Sequence, residues 1–380
     1  MKLKKIVLAL SAVCILSFGA AALLLHSVQS FADSGNSIVN VKMNATGDLN
    51  QVDQIEVLNK TAADVRIIVS GTDNVSAHLY GKVSGNVEMK QPRLTIRKKG
   101  STQTITASWN KNWQNRAWFN VHYRCEMKLD ITVPENYRGA VSVVTASGDV
   151  HTEAFHGKSL EIKTSSGDVS FTDYSGKLCK ISTASGDVIG KNIQADRCSA
   201  STASGDITVK DSRLVEFRAR TASGDISVRS LKIDKFSTQS ASGDIVLFEL
   251  TGKTLSSSSA SGELSVSGIS GDNLSFSTTS GDVRLRKVTG NLEASSTSGD
   301  IKADVLSFPK FIKLSTTSGD IRLNITGKDP YGFRAETHGD ISFTGPKGRS
   351  VTAEKNLTVD CEKCERQISA MSVSGDIEVR

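Results

Sequence analysis

The sequence predicts an all-β fold, a single-stranded parallel β-helix or solenoid with coils of about 19 residues and a β-rich N-terminal cap. Two observations carry this prediction. The tripeptide Ser-Gly-Asp first occurs at 147–149 and recurs to the C-terminus, with seven steps of 19 residues and then steps of 18, 20, 20 and 36 between the acidic residues. Apolar residues hold constant positions relative to that tripeptide, as stacked coils require.

The N-terminal residues 1–32 have the features of an export segment. Three lysines precede an uncharged, mainly apolar stretch from residue 6 to 25, and Ser30-Phe31-Ala32 places small residues where a signal peptidase cleaves. Signal peptides usually carry ~7–15 apolar residues, whereas about 20 span a bilayer. A signal peptide cleaved near Ala32, which releases the protein, and an uncleaved membrane anchor are both open. Either places the rest of the chain outside the cytoplasmic membrane, because the lysines stay inside.

The composition and charge suit a thin solenoid core and argue against one class of partner. Hydrophobic residues make up 38% of the chain and aromatic residues 6%. These fractions are low for one large core but sufficient for coils that contact only their neighbours. The formal charge of +6 includes three leader lysines, so the remaining residues carry +3. This mild excess, without a basic run, argues against a nucleic-acid partner.

Residues 36–140 lack the regular repeat and are predicted to form the N-terminal cap. Apolar and polar residues alternate in segments such as 54–57 and 127–133, as in half-buried strands that would cover the open end of a solenoid. All three tryptophans lie here within ten residues, with cations between them. They either plug the end of the core or form a ligand patch that stacks on sugar rings or meets a lipid interface. The candidate patch consists of Trp109, Trp113, Trp118, Lys111 and Arg116.

Residues 141–344 form the predicted repeat solenoid, with two strands in each coil. The residue after each acid is Val, Ile or Leu, and the residue two further on is mostly apolar, so a short strand with one buried face follows each Ser-Gly-Asp. The outward positions of this strand include Lys210, Arg229, Arg284 and Arg322.

A turn leads to the second strand, whose inward column lies eleven residues after the acid in regular coils: Leu160, Cys179, Cys198, Phe217, Phe236, Leu255 and Leu274. Leu292, Ile312 and Phe333 continue this column in the irregular coils. The two cysteines of the column are either buried small side chains or a disulfide between neighbouring coils.

Polar residues form two further columns at the corner. A Thr or Ser stands four residues before each acid from Asp149 to Asp320, and its hydroxyl is expected to bond to its neighbours in the stack or to the corner backbone. The Gly is expected to supply positive φ for the bend, and each Asp carboxylate to accept hydrogen bonds from N–H groups of its own corner. The alternative is a row of calcium ions between neighbouring carboxylates. Its candidate ligands are Asp168, Asp187, Asp206, Asp225 and Asp244, and no other cofactor is predicted.

Residues 345–380 are predicted to form the C-terminal coils and cap. The pattern loosens and then returns as Ser374-Gly375-Asp376. The step of 36 residues is interpreted as one coil without its corner motif, followed by a last coil that ends the chain. Cys361 and Cys364 have no second pair to complete a zinc site, so a local disulfide outside the cell is favoured.

No catalytic set emerges from the sequence. The six histidines are scattered, and the serines are columnar turn residues without His and Asp partners at a suitable spacing. β-Helical polysaccharide lyases are the obvious enzyme comparison. Their clefts depend on long loops, whereas most coils here have 19 uninterrupted residues. The protein is therefore predicted not to be an enzyme.

The export segment, a lead-in ending in Leu129-Asp130-Ile131-Thr132-Val133-Pro134, and the serial Thr-x-Ser-Gly-Asp-Ile/Val repeats resemble a bacterial β-strand-repeat family. That family carries the name "putative adhesin" and is a domain of unknown function. The resemblance covers residues 36 to 380. It implies an envelope-associated protein, in some members linked to cell-envelope stress operons, and it carries over no functional residues.

Three hypotheses for the function follow. The first is a non-enzymatic cell-envelope solenoid that binds, adheres or scaffolds, with a cell-wall polymer, a membrane or another envelope protein as partner. The alternative is a membrane-anchored regulatory component of envelope-stress signalling. The third is an enzyme that acts on polysaccharide. A ligand site is expected on the cap tryptophans or on an outward strand face, rather than on one copy of Ser-Gly-Asp.

Overall fold

The computed structural model describes residues 37–85, 90–109, 123–327, 329–346, 348, 350–361 and 364–380. Residues 1–36, with the predicted export segment, lie outside this part of the chain. The described residues contain no helix with the length and apolar composition that a membrane span requires.

The described residues form 26 β-strands, which confirms the predicted all-β solenoid. The first thirteen are β1 (Ser37–Gly47), β2 (Gln54–Lys60), β3 (Asp64–Ser70), β4 (Val75–Gly85), β5 (Arg93–Lys99), β6 (Thr102–Ser108), β7 (Tyr123–Pro134), β8 (Ala140–Thr145), β9 (Val150–Glu153), β10 (His156–Lys163), β11 (Val169–Thr172), β12 (Ser175–Ser182) and β13 (Val188–Lys191). The others are β14 (Gln194–Ser201), β15 (Ile207–Arg220), β16 (Ile226–Ser240), β17 (Ile245–Ser259), β18 (Leu264–Ser277), β19 (Val283–Ser295), β20 (Ile301–Ser307), β21 (Phe311–Thr316), β22 (Ile321–Ile325), β23 (Gly332–Thr344), β24 (Ser350–Val359), β25 (Gln367–Ser372) and β26 (Ile377–Val379). Every described strand begins at Ser37 or later.

The chain divides into two compact units, one within Met1–Gly190 and Ser201–Gly205, the other formed by Lys191–Ala200 and Asp206–Arg380. In the second unit, β15 to β18 each run through both strands of a coil, and neighbours pair in parallel with a shift of 19 residues. Ile226 thus pairs with Ile245. In the first unit, β10 pairs in parallel with β12, and β9 with β11. Parallel pairing between identical repeat positions is what the columns predicted.

The two predicted apolar columns form the core. The residue after each corner acid is at most 1% exposed from Val150 to Ile341. Every residue of the second column, including Cys179 and Cys198, is at most 2% exposed. The rings of Phe217 and Phe236 stack across neighbouring coils with centroids 5.7 Å apart. Burial of several aliphatic or aromatic side chains in each coil supplies the hydrophobic stabilisation.

A second corner separates the two strands of a coil, and its backbone is left-handed. The column five residues after the acid has φ between 52° and 56° in seven coils, and a glycine with φ 69° takes the place in another. The members are Ala154, Asp173, Asn192, Asp211, Ser230, Glu249, Gly268 and Lys287. Asp, Asn and Gly tolerate this region best, and their recurrence was the signal by which the sequence could have specified the turn.

The N-terminal cap combines antiparallel strands with an inserted coil. β4 pairs antiparallel with β1 and β7, and β5 pairs antiparallel with β6. β2 lies between β6 and β8, and β3 lies between β7 and β9, in parallel in each case. The first coil of the chain, β2 with β3, is therefore stacked between two coils that follow it in sequence. Antiparallel strands then cover this end of the unit.

The C-terminal end differs from the prediction of two coils in sequence order. β25 pairs in parallel with β21 on one side and β23 on the other, and β26 lies between β22 and β23. The final coil, formed by β25 and β26, thus lies between the coil of β21 and β22 and the strand β23, although β23 comes earlier in the chain. β24 folds back on β23 as an antiparallel partner instead of forming a coil. The predicted order was wrong because a step of two coil lengths also accommodates a hairpin followed by an insertion.

Candidate binding surfaces

The carboxylates of the Ser-Gly-Asp corners bind the backbone of the next coil. Asp149 Oδ1 accepts the N–H of Asp168 at 2.9 Å, and Asp225 Oδ1 accepts the N–H of Asp244 at 2.8 Å. At the C-terminal end, the N–H of Asp340 donates to Asp376 Oδ1. The carboxylates were predicted to accept N–H groups of their own corner, and this was wrong because the donor N–H belongs to the corner of the next coil. A carboxylate reaches the adjacent coil more directly because the strands are only about 4.8 Å apart.

The corner hydroxyls make a second link between coils. The N–H of Gly243 donates to Ser240 Oγ, and that hydroxyl donates to the carbonyl of Gly224 in the preceding coil at 3.1 Å. Thr202 makes the same pair of bonds to Gly186 and Gly205. Bonding to the corner backbone was one of the two predicted roles. Hydroxyls that are at most 8% exposed thus have both donor and acceptor functions satisfied.

The corner glycines are required by close stacking, and the prediction of positive φ was wrong for most of them. Gly148 has φ 104°, but Gly167, Gly186 and Gly243 lie outside the left-handed region. A Cβ on Gly243 would overlap the carbonyl oxygen of Gly224, closer than the 3.0 Å that real Cβ contacts respect. The bend itself is compatible with other residues, but the neighbouring backbone leaves no room for a side chain.

The calcium alternative finds no pre-formed cluster in the described residues. No group of three or more His, Cys, Asp or Glu side chains there is arranged to hold a metal ion. Asp168 and Asp244 each use Oδ1 on the next coil's N–H. The calcium row stays a prediction with a defined test. The structure assigns these carboxylates a role in stacking, and the protein's own N–H groups already spread their charge.

The tryptophan patch falls mostly outside the described residues. Trp109 directly follows β6 and is half-buried. Lys111, Trp113, Arg116 and Trp118 lie outside the described part of the chain. The patch therefore remains a sequence-based prediction.

Two cysteines near the C-terminus are joined. Cys361 and Cys364 form a disulfide with their Cα atoms 5.4 Å apart. The bond lies between β24 and β25, where the chain turns from the antiparallel strand to the inserted coil. Such a local bridge restricts that connection and does not link distant elements. Cys125 on β7 is half-buried, and desolvation raises the pKa of its thiol, which makes it a poor nucleophile at neutral pH.

A polar cluster that the sequence analysis did not predict lies on β3, β4 and β7. The rings of His78 and Tyr80 stack with centroids 4.6 Å apart, and the Tyr80 hydroxyl donates to Asp130 Oδ2 at 3.2 Å. Arg66 Nε lies 3.9 Å from Asp130 Oδ1. Desolvation and the adjacent carboxylate of Asp130 raise the pKa of Tyr80. Cross-strand pairing of distant segments creates this cluster, so residue spacing could not reveal it.

Two cavities are lined by charged side chains. The first, about 570 Å³, lies beside the N-terminal cap. Desolvation raises the pKa of Tyr137, which lines it and donates to the carbonyl of Ala140. The charged residues that line this first cavity are Asp48, Asp53, Asp73, Arg138 and Lys158. The second, about 390 Å³, lies on β19, β20 and β22 in the other unit. Its lining includes Arg284, Arg286, Lys302, Asp304 and Arg322.

The outward side of the strand that follows each corner carries the clearest surface chemistry in the second unit. We define the first-strand face as the outward residues of five successive coils: Thr208, Lys210, Ser227, Arg229, Val246, Phe248, Ser265, Ser267, Arg284 and Arg286. Lys210 and Arg229 stand opposite each other in the register of β15 and β16. Phe248, which is 41% exposed, stands next to Arg229. The sequence identified the cations as outward but not Phe248, whose column elsewhere holds polar or charged residues.

Comparison with known proteins agrees with this architecture. A family model described as Toastrack DUF4097 matches residues 52–228 and again residues 210–380. No curated protein sequence shows a significant match to the chain.

The chain is distantly similar to three crystal structures that each carry the name "putative adhesin". That from Parabacteroides distasonis is 13% identical, with a TM-score of 0.38, and the alignment covers 77% of this chain and 98% of the other. That from Bacteroides fragilis is 12% identical, with a TM-score of 0.24 and coverage of 90% and 97%. That from Parabacteroides merdae is 9% identical, with a TM-score of 0.27 and coverage of 75% and 92%.

The assignment rests on the family model rather than on these structures. The two matched ranges overlap and together extend from the first inserted coil to the C-terminus. The chain therefore belongs to the family described as Toastrack DUF4097.

Proposed function

We propose that the protein is a non-enzymatic binding module of the cell envelope that acts outside the cytoplasmic membrane. The observation that carries this proposal is the use of the polar repeat groups. Corner hydroxyls and carboxylates bond to the backbone of adjacent coils, which leaves chemistry for a partner mainly on the outward strand faces. A stack of coils with varied outward residues is a scaffold for a binding surface.

The corner hydroxyls are not arranged as catalytic nucleophiles. A columnar Ser or Thr whose hydroxyl donates to a glycine carbonyl lacks the general base that would activate it as a nucleophile. The export segment predicted at residues 1–32 supports an envelope location, as does the resemblance to envelope-associated proteins. The partner class is a cell-wall polymer, a membrane or another envelope protein.

Retention on envelope material tests the proposal. Residues 33–380 include every described strand, so this form carries the fold, and a cooperative thermal transition would verify that it is folded. The protein is mixed with purified cell walls, with lipid vesicles and with a detergent extract of envelope proteins, and the bound fraction is measured. We expect retention on at least one material. Absence of retention on all three contradicts a binding module.

A triple variant locates the contact. Replacement of Trp109, Trp113 and Trp118 by alanine removes the candidate patch of the cap. Loss of retention would place the contact in the cap, and unchanged retention would place it on an outward strand face. In cells, release of the chain by cleavage near Ala32 would contradict the alternative of a membrane-anchored regulator.

A further inference from the structure

The first-strand face carries cations that the fold itself leaves without carboxylate partners. Lys210 and Arg229 are both exposed and directly opposed across β15 and β16. Lys191 holds the same repeat position in the preceding coil. Within the described residues, no carboxylate forms an ion pair with Lys191, Lys210, Arg229 or Arg286. Arg284 on the same face is the exception, because it pairs with Glu263 and Asp282. Adjacent like charges at this spacing repel each other, and an anionic partner would relieve the repulsion.

The outward positions of this face are free of acids over five coils. From Thr208 to Arg286 they hold hydroxyl, basic or apolar residues. Carboxylates occur only in the flanking corners, where Asp206 and Asp225 each accept the N–H of the next coil and Glu249 accepts the hydroxyl of Ser230. The second strand of the same coils differs, because Glu216 and Asp234 lie there among the cations.

Those acids neutralise their neighbours on the second strand. Arg218 and Arg197 both contact Glu216, and Lys253 contacts Asp234 at 3.0 Å. The second strand therefore holds Arg197, Arg218 and Lys253 in ion pairs with its own acids. Lys210, Arg229 and Arg286 on the first-strand face have no such pairs in the described part of the chain.

Two apolar side chains project from the middle of the basic face. Phe248 is 41% exposed and Val246 is 36% exposed, on the same side of β17. The register places Phe248 between Arg229 and Ser267. An exposed ring and a branched aliphatic side chain, held on a rigid strand among cations, form the combination that binds to an interface of anionic headgroups and acyl chains.

We propose that the first-strand face docks on an anionic lipid bilayer, with Lys210, Arg229 and Arg286 at the headgroups and Phe248 and Val246 at the acyl boundary. This inference rests on the proposed function and names the partner class. A soluble polyanion would neutralise the cations but leave both apolar side chains in water, so the pattern favours lipid over an anionic wall polymer. An exported chain retained near the membrane would meet such a surface.

Sedimentation with vesicles tests the proposal, using residues 33–380 after their thermal transition has been verified. Vesicles of phosphatidylglycerol and phosphatidylcholine in equal parts are compared with pure phosphatidylcholine. We expect binding to the anionic vesicles that weakens as salt screens the charges. Lys210→Glu with Arg229→Glu should weaken it by at least about tenfold, because each cation near such a surface contributes appreciably. Phe248→Ser should weaken it by roughly fivefold at unchanged charge.

The matched control changes the same charges on the other strand. Arg213 and Lys232 lie in the same two coils and are also directly opposed in register. Arg213→Glu with Lys232→Glu should leave vesicle binding within about twofold, since these residues lie outside the proposed face. Each variant's unfolding midpoint is measured first. If the double charge reversal does not fold, Lys210→Gln with Arg229→Gln replaces it.

The outcomes separate this inference from the proposed function. Equal losses in the two double variants would show attraction by net charge alone and overturn the docking face. Unchanged vesicle binding of Phe248→Ser would overturn the lipid assignment. So would a preference for a soluble polyphosphate, seen as release of the protein from the vesicles when that polyphosphate is added. Retention on cell walls without vesicle binding would overturn the lipid face while the binding module stands. Failure on all materials would overturn both.

Discussion

At the scale of single residues, each corner joins neighbouring coils through one carboxylate and one hydroxyl. Glu263 N–H donates to Asp244 Oδ1 at 2.8 Å, and the Ser259 hydroxyl donates to the carbonyl of Gly243 in the preceding coil at 3.1 Å. The bond made by Asp244 requires an acceptor oxygen and not a negative charge. An amide and a carboxylate present the same acceptor geometry at this position, which separates the stacking role from a metal-binding role.

This distinction makes Asp244 a direct test. Asp244→Asn should cost less than about 0.5 kcal/mol of unfolding free energy, because its amide oxygen still accepts the N–H of Glu263. Asp244→Ala should cost about 1–2 kcal/mol, because that donor loses its acceptor. Denaturant unfolding measures both values. Calcium binding by the row would instead require the charge, so equal losses in both variants, with a lower midpoint in chelator, would contradict the stacking role.

Glycine serves two different purposes in this chain, and substitution by alanine should distinguish them. At Gly243 the added Cβ meets the Gly224 carbonyl, so Gly243→Ala should destabilise the fold by about 3 kcal/mol. At Gly268 the nearest atom lies 3.6 Å from the built Cβ and only the positive φ opposes a side chain. Gly268→Ala should therefore cost about 1 kcal/mol. Thermal or denaturant unfolding compares the two, and a neutral Gly243→Ala would contradict the close-stacking explanation.

The sequence could predict that a requirement of the backbone selects glycine at these positions, but not which requirement it is. A missing side chain permits positive φ and also permits close approach of another backbone, and both appear as the same letter. Only the position of the neighbouring coil distinguishes them. For the same reason the pattern predicted that the carboxylates cap N–H groups but assigned the donor N–H groups to the wrong coil.

At the scale of elements, the N-terminal part of the first unit and the C-terminal part of the second follow the same design. The coil formed by β2 and β3 is enclosed between other coils, and so is the coil formed by β25 and β26. Antiparallel strands β4 and β24 lie beyond them. β25 alternates between buried and more exposed residues, so it has one buried face. Its partners could not be predicted, because strand pairing is non-local and both neighbouring coils present equivalent edges.

The enclosed final coil should be as sensitive as any central one. Ile368 is 1% exposed and pairs with Ile312 and Phe333, so Ile368→Ser should destabilise the protein by about 3–4 kcal/mol through the cavity and the buried hydroxyl. Met371→Ser, on the exposed side of the same strand, should change stability by less than about 0.5 kcal/mol. Chemical unfolding checks the pair. A mild effect of Ile368→Ser would show that the final coil is a loosely attached end.

At the scale of the whole molecule, periodicity predicted the fold class and both core columns because every coil repeats the same inward positions. The candidate surface follows a different rule. Lys210 and Arg229 could be assigned as outward by counting, but the importance of Phe248 emerges only when register places it beside them. A repeat sequence specifies its stacking contacts many times over. A binding face is specified once, by departures from the repeat, and needs the structure to assemble it.

The enclosed C-terminal coil also bears on how the protein is made. A chain synthesised from its N-terminus presents the residues of β21 to β24 before those of β25 and β26 leave the ribosome. Until then β25 is missing from its position between β21 and β23, and these two strands can pair with each other incorrectly. Residues 367–380 must therefore insert between strands that were made earlier. This step is expected to be slow because the pairing strands are far apart in the sequence. The arrival of β25 and β26, rather than growth of the stack, would then determine when this unit becomes stable.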